Sequence, residues 1–117
     1  RPPAPQQRPM MFSHRTPSRI LAWREPVDMR KSFDGLVGLV RGALREDPLS
    51  GDLFIFVNRR GNYLKLVYWD RTGFALFAKR LERGRFTIPG QDQTQRLSAE
   101  QLRLIFDGIS LGHRRGV

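Results

Sequence analysis

The chain has 117 residues, 39% hydrophobic and 27% charged, a balance that fits one domain with a packable core and argues against a disordered chain. It has no cysteine, which excludes disulfides and cysteine metal sites; no apolar run nears the ~18 residues a spanning helix needs, and no signal-like apolar stretch opens it, so a cytoplasmic, membrane-free setting is expected. The net charge of +10 points to polyanionic partners: DNA, RNA or an acidic protein surface.

That charge is segregated. Residues 1–24 hold five arginines and no acid, residues 25–57 are net −2, and residues 58–90 hold eight basic residues against two acids. The first segment, 1–17, contains five of the eight prolines and reads as a disordered basic arm. Met10 or Met11 fits a translation start, so the arm is set aside from the fold. A DNA-binding arm is the functional alternative. A single domain is expected over 18–111, followed by a basic tail over 112–117.

"SRILAW" (18–23) predicts a short strand ended by Pro26. Asp28 is placed to cap a helix over about 29–45, whose apolar positions Met29, Phe33, Leu36, Val37, Val40 and Leu44 recur every three or four residues. Gly35, Gly38 and Gly42 form an offset stripe. Each costs about 1 kcal/mol inside a helix, which predicts close approach of another backbone. Pro48 and Gly51 open a loop.

The middle of the chain is strand and turn. "LFIFV" (53–57), "YLKLVYW" (63–69), "FALFAKRL" (74–81) and "RFTI" (85–88) predict four antiparallel strands, joined by "NRRGN", "DRTG" and "ERG". A last helix starts at Ser98, with Gln101 completing a capping box and Leu97 and Leu102 a hydrophobic staple. Leu102, Ile105, Phe106 and Ile109 supply its buried face, and Gly108 or Gly112 ends it. The expected class is α+β: an antiparallel meander of four to five strands with two helices packed mainly on one face.

Catalytic chemistry has little support. His14 and His113 lie in the predicted tails, and "GLVGLVRG" lacks the lysine of a phosphate loop. Asp28, Asp34, Asp47, Asp52 and Asp70 could in principle pair for metal-dependent cleavage, but caps, turns and a helix surface account for each. No enzyme, metal or cofactor is expected.

The cations offer more. In an up-down meander, the 58–62 loop and the 82–84 turn share one end of the sheet, which gathers Arg59, Arg60, Arg83 and Arg85, with Lys79 and Arg80 leading in. Alternation puts Tyr63, Lys65, Val67 and Trp69 on one face. Lys65 and Trp69 suit phosphate contact and base stacking; equally, they suit a solvated strand position and the edge of a core.

Taken together, "DMRKSFDGL" (28–36), "DPLSGDLFIFVNRRGNYLKLVYWD" (47–70), "GFALFAKRLERGRFTIP" (73–89) and "LSAEQLRLIFDGI" (97–109) resemble the TnpB accessory protein of insertion sequence 66 transposable elements. The resemblance spans about 18–109. It implies a bacterial, non-catalytic accessory protein of transposition, encoded beside a separate, larger transposase. Its motif positions here include 28–31, 33–35, 60, 61, 65, 69, 70, 79–82 and 84–86. Which residues bind anything is an inference from charge and geometry: Arg59, Arg60, Lys65, Lys79, Arg80, Arg83 and Arg85 on DNA phosphates, with Trp69 placed for base stacking. The rival expectations are docking on the transposase, self-association through the glycine stripe or a sheet edge, and a nuclease-like subunit.

Overall fold

Five strands and two helices follow one another in a computed structural model that describes residues 19–108. They are β1 (Ile20–Trp23), α1 (Phe33–Gly42), β2 (Leu53–Val57), β3 (Tyr63–Trp69), β4 (Phe74–Arg80), β5 (Thr94–Leu97) and α2 (Ala99–Phe106). The expected arm at 1–17 and tail at 112–117 lie outside the described residues, as do Ile109, Gly112, His14 and His113.

The α+β class holds, but the sheet is mixed. Its order is β4-β3-β2-β1-β5. β2, β3 and β4 form the expected antiparallel meander. β1 runs parallel to β2, with Leu21 beside Phe54, because α1 carries the chain back before β2 starts. Parallel neighbours require such a crossover. β5 closes the far side, antiparallel to β1.

The helices lie on opposite faces, not on one. Leu36, Val37 and Val40 of α1 pack with Leu21, Phe54, Phe56 and Val67. Leu102 and Ile105 of α2 pack with Ile20, Ile55, Leu64 and Leu66. β2 is therefore covered on both sides and all five of its residues are buried. This is why its sequence is an unbroken apolar run where a half-covered strand would alternate. Each fully buried side chain of this kind contributes about 1.5–3 kcal/mol relative to exposure.

α1 begins later than expected. Its N-cap position is Ser32, whose side chain makes no capping hydrogen bond. Asp28 instead closes a turn before the helix: its carbonyl accepts from the Lys31 amide, and its carboxylate accepts from the amide and guanidinium of Arg30. Phe33, expected on the buried face, is 42% exposed. Nor does the glycine stripe meet another backbone. A Cβ at Gly38 or Gly42 would find open space, and one at Gly35 would meet only the Lys31 side chain.

"RFTI" is not a strand. Phe86 is buried in the α2-side core, and its amide donates to the Gly61 carbonyl at 2.7 Å. That anchor turns the chain across the end of the sheet and away from the outer edge of β4. The strand that follows is instead "TQRL" at 94–97, a stretch for which the sequence predicted no element. The capping box at α2 is present as expected: the Ser98 hydroxyl accepts from the Gln101 amide, and the Gln101 side chain accepts from the Ser98 amide.

Candidate nucleic-acid interface

One end of the sheet gathers most of the loops. β1 and β2 run parallel, so Arg24 and Asn58 leave the sheet at the same end. The β2–β3 loop (58–62), the end of β4 and the segment that crosses to β5 lie there too. The other end carries the 70–73 turn and the loop that leads into β2.

The 58–62 loop has a fixed backbone. The Asn58 amide donates to the Tyr63 carbonyl at 3.0 Å, and the Gly61 amide to the Asn58 carbonyl at 3.0 Å. The Asn58 side-chain oxygen accepts from the amides of Asn62 and Tyr63, while its nitrogen donates to Asn62 Oδ1. Gly61 supplies the turn with φ at +77°, where glycine carries no steric cost. Arg59 and Arg60 are left on the outside, both exposed.

The 81–86 segment is tied to this loop. The Leu81 amide donates to the Asn62 carbonyl at 2.8 Å, one residue beyond the last β3–β4 pair, and the Phe86 amide reaches the Gly61 carbonyl. Between these two ties the chain bulges outward through Glu82, Arg83, Gly84 and Arg85, all exposed. Arg85 folds back over the loop: a Cβ built on Gly61 would lie 3.1 Å from its Nε. Arg59, Gly61 and Arg85 line a shallow groove of about 280 Å³ with Arg24, above an apolar floor of Pro26, Val57, Phe86 and Ile88. A second groove on the other side of Arg59 is lined by Arg60, Asp28 and Met29.

Pairing separates the arginines into two groups. Arg19 is held by Glu46 and Asp52 at 2.7 Å each, Arg30 by Asp28 and Arg103 by Glu100. Arg30 in turn holds the Asp28 carboxyl well below the usual range, at about 2, chiefly by its side-chain hydrogen bond. Among the described residues, no ion pair involves Arg59, Arg60, Arg83 or Arg85. Arg41, Arg45, Arg71 and Arg96 also lack one, but they sit on other elements.

The structure divides the eight expected site residues. It brings Arg59, Arg60, Arg83 and Arg85 to one end. Arg80, exposed at the end of β4, places its guanidinium 5.0 Å from the centre of the Tyr63 ring opposite it, a cation–π contact. Lys65 is buried rather than solvated, only 8% exposed, and its ammonium donates to the carbonyls of Met29 and Lys31 at 2.8 Å each. Lys79 turns to the opposite face and donates to the Phe106 carbonyl at 2.7 Å, where a cation offsets the negative end of α2. Trp69 lies at the far end of β3, edge-on to Phe74. Lys65 and Lys79 are thus pins of the fold, and Trp69 is remote from the arginines.

Arg24 went unnoticed in the sequence. Its guanidinium donates to the carbonyls of Asp92, Pro89 and Ile88, fixing the loop that walls the groove. Only the parallel placement of β1 makes that reach possible. Among the described residues, no group of three or more acidic, histidine or cysteine side chains stands close enough to hold a metal ion. Nor is any described helix long and apolar enough to cross a membrane.

A family model described as "IS66 Orf2 like protein" matches residues 18–116. The chain belongs to the IS66 Orf2-like family. Membership associates it with insertion-sequence transposition as an accessory protein. Two relatives are uncharacterized proteins of Sinorhizobium fredii (strain NBRC 101917 / NGR234). Protein y4jC is 40% identical over 92 residues, 78% of this chain and 79% of its own length. Protein y4hO is 40% identical over 87 residues, 74% and 76% respectively. No solved structure matches this IS66 Orf2-like chain.

Proposed function

We propose that this IS66 Orf2-like protein is a non-catalytic accessory factor that grips the DNA backbone with Arg59, Arg60, Arg83 and Arg85, flanked by Arg80. One observation carries the reading: four exposed arginines without acidic partners among the described residues project from two backbone segments hydrogen-bonded to each other. Guanidinium groups match phosphate oxygens in geometry and charge. A fixed backbone lowers the entropy lost on binding. Phosphate contact positions a protein without reading sequence, so element-end and unrelated duplexes are bound alike.

The affinity is set by counterion release. Four phosphate contacts give a slope of log K against log salt near −3.6. Between 50 and 200 mM salt that is a loss of about 100-fold. Fluorescence anisotropy with both duplexes at the two salt concentrations measures it. Absence of binding to either at low salt would refute the reading.

The apolar floor beneath Arg24, Arg59 and Arg85 favours a second reading. A groove with greasy walls and a cationic rim also suits an acidic segment of the transposase. Co-purification of the two proteins after nuclease treatment, lost on Arg59→Glu, separates this reading from the first.

A further inference from the structure

The sheet ends in β4 on one side and β5 on the other. β5 is four residues long and polar; β4 is seven residues long and opens with Phe74-Ala75-Leu76-Phe77-Ala78. A long apolar edge is a template for another strand, and proteins usually guard one with proline, charge, a bulge or a covering segment. Among the described residues, β4 has no such guard over its first five residues, since Phe86 draws the following chain away across the end of the sheet.

The register shows which backbone groups are free. The Asp70 amide donates to the Gly73 carbonyl, and the Leu81 amide to the Asn62 carbonyl. Hydrogen-bonded pairs alternate along an antiparallel ladder, so residues 75, 77 and 79 face β3. The amides and carbonyls of Phe74, Leu76, Ala78 and Arg80 point outward. Among the described residues, no hydrogen bond reaches them from another element.

We infer that β4 pairs antiparallel with β4 of a second copy, fusing two five-stranded sheets into one. The strand is complementary to itself. A twofold axis at Phe77 sets Leu76 opposite Ala78 and Phe74 opposite Arg80 of the second copy, and all four of these residues point their free groups outward. Phe77 meets Phe77, and Ala75 meets Lys79, in the positions between. Each cation faces an aromatic ring or an alanine, so no like charges stand opposite each other to resist pairing. Arg80 gains a second ring, as it already has Tyr63. Such an interface is isologous and closes as a dimer. It turns the two arginine-bearing ends in opposite directions.

The test uses the full chain. Sedimentation should give twice the chain's mass, falling to the single mass on dilution. Ala78 is exposed and its amide is spare to the β3 ladder, so Ala78→Pro is tolerated as edge prolines are. It should yield a monomer with unchanged circular dichroism. The cysteine-free sequence allows an independent probe. Phe77→Cys places two thiols across the axis, where a Cα separation of about 4.5 Å suits a disulfide. Mild oxidation should link Phe77→Cys at least tenfold faster than Ala75→Cys, and this comparison decides the matter if Ala78→Pro fails to fold. A monomeric wild type, a dimer that survives Ala78→Pro, or equal linking of the two cysteine variants would overturn the inference. A wild type that is monomeric alone but loses transposase binding on Ala78→Pro would assign the edge to that protein instead.

Discussion

The Arg85 guanidinium lies across Gly61, so close that a single methyl group on Gly61 would press against Nε at 3.1 Å. Two segments 24 residues apart thereby form one cationic surface. The contact requires both a positive φ at position 61 and the absence of a side chain there.

Gly61→Ala should therefore act twice. The left-handed backbone costs about 1–2 kcal/mol for a residue with a Cβ, to be read from urea denaturation. Arg85 must also move, so DNA affinity at low salt should drop beyond what the lost stability explains. Unchanged affinity in the folded variant would separate Arg85 from the binding surface.

Lys65 and Arg59 should behave as opposites. Lys65→Met removes two charge-assisted hydrogen bonds to the half-buried carbonyls of Met29 and Lys31 and should cost about 1–3 kcal/mol of stability. Its salt slope for DNA should not change. Arg59→Ala is an exposed truncation and should stay within about 0.5 kcal/mol of wild type in stability, while lowering the salt slope by about 1. Denaturation and anisotropy on the same preparations read both effects.

Asp28 gives a pH prediction with a definite sign. Its folded value is lowered to about 2 from 3.8 by Arg30. A carboxyl lowered on folding contributes stability that is present above its unfolded value and lost as pH falls through the folded one. The Asp28–Arg30 turn should therefore hold above pH 3.8 and loosen toward pH 2. The carboxyl carbon shift of Asp28 should titrate near 2 in wild type and rise part of the way toward 3.8 in Arg30→Ala, where the residue-30 amide still donates to the carboxylate.

The capping box offers a control remote from the arginines. Ser98→Ala should destabilise the protein by about 1 kcal/mol through the lost bond to the Gln101 amide. DNA binding should be unaffected.

Local chemistry made much of this legible from the sequence. The Ser98–Gln101 box, the β2–β4 meander and the shared end of the 58–62 and 81–85 segments all follow from spacing over short stretches. Long-range pairing did not. Nothing near "ILAW" signals a parallel place beside "LFIFV", and "TQRL" has one buried residue on which to base a strand. "RFTI" has a strand's composition, yet Phe86 alone decides its path by sinking into the core. The unbroken "LFIFV" did carry the missed information: a strand with no polar alternation is covered on both faces, which places the helices on opposite sides. Lys65 looked solvated because the 29–31 carbonyls that bind it become visible only in three dimensions.

The central claim is that position matters more than total charge. Two quadruple variants test it: Arg59, Arg60, Arg83 and Arg85 to Ala, and Arg41, Arg45, Arg71 and Arg96 to Ala. Both remove four charges from exposed arginines that have no acidic partner among the described residues. In a salt titration of duplex DNA binding, the first should lose most of a slope near −3.6, so that its affinity no longer falls about 100-fold between 50 and 200 mM salt. The second should stay within about threefold of wild type, the loss a diffuse field leaves once salt screens it. Equal losses in both variants would show a non-specific attraction of the whole basic chain and contradict the assignment of the interface.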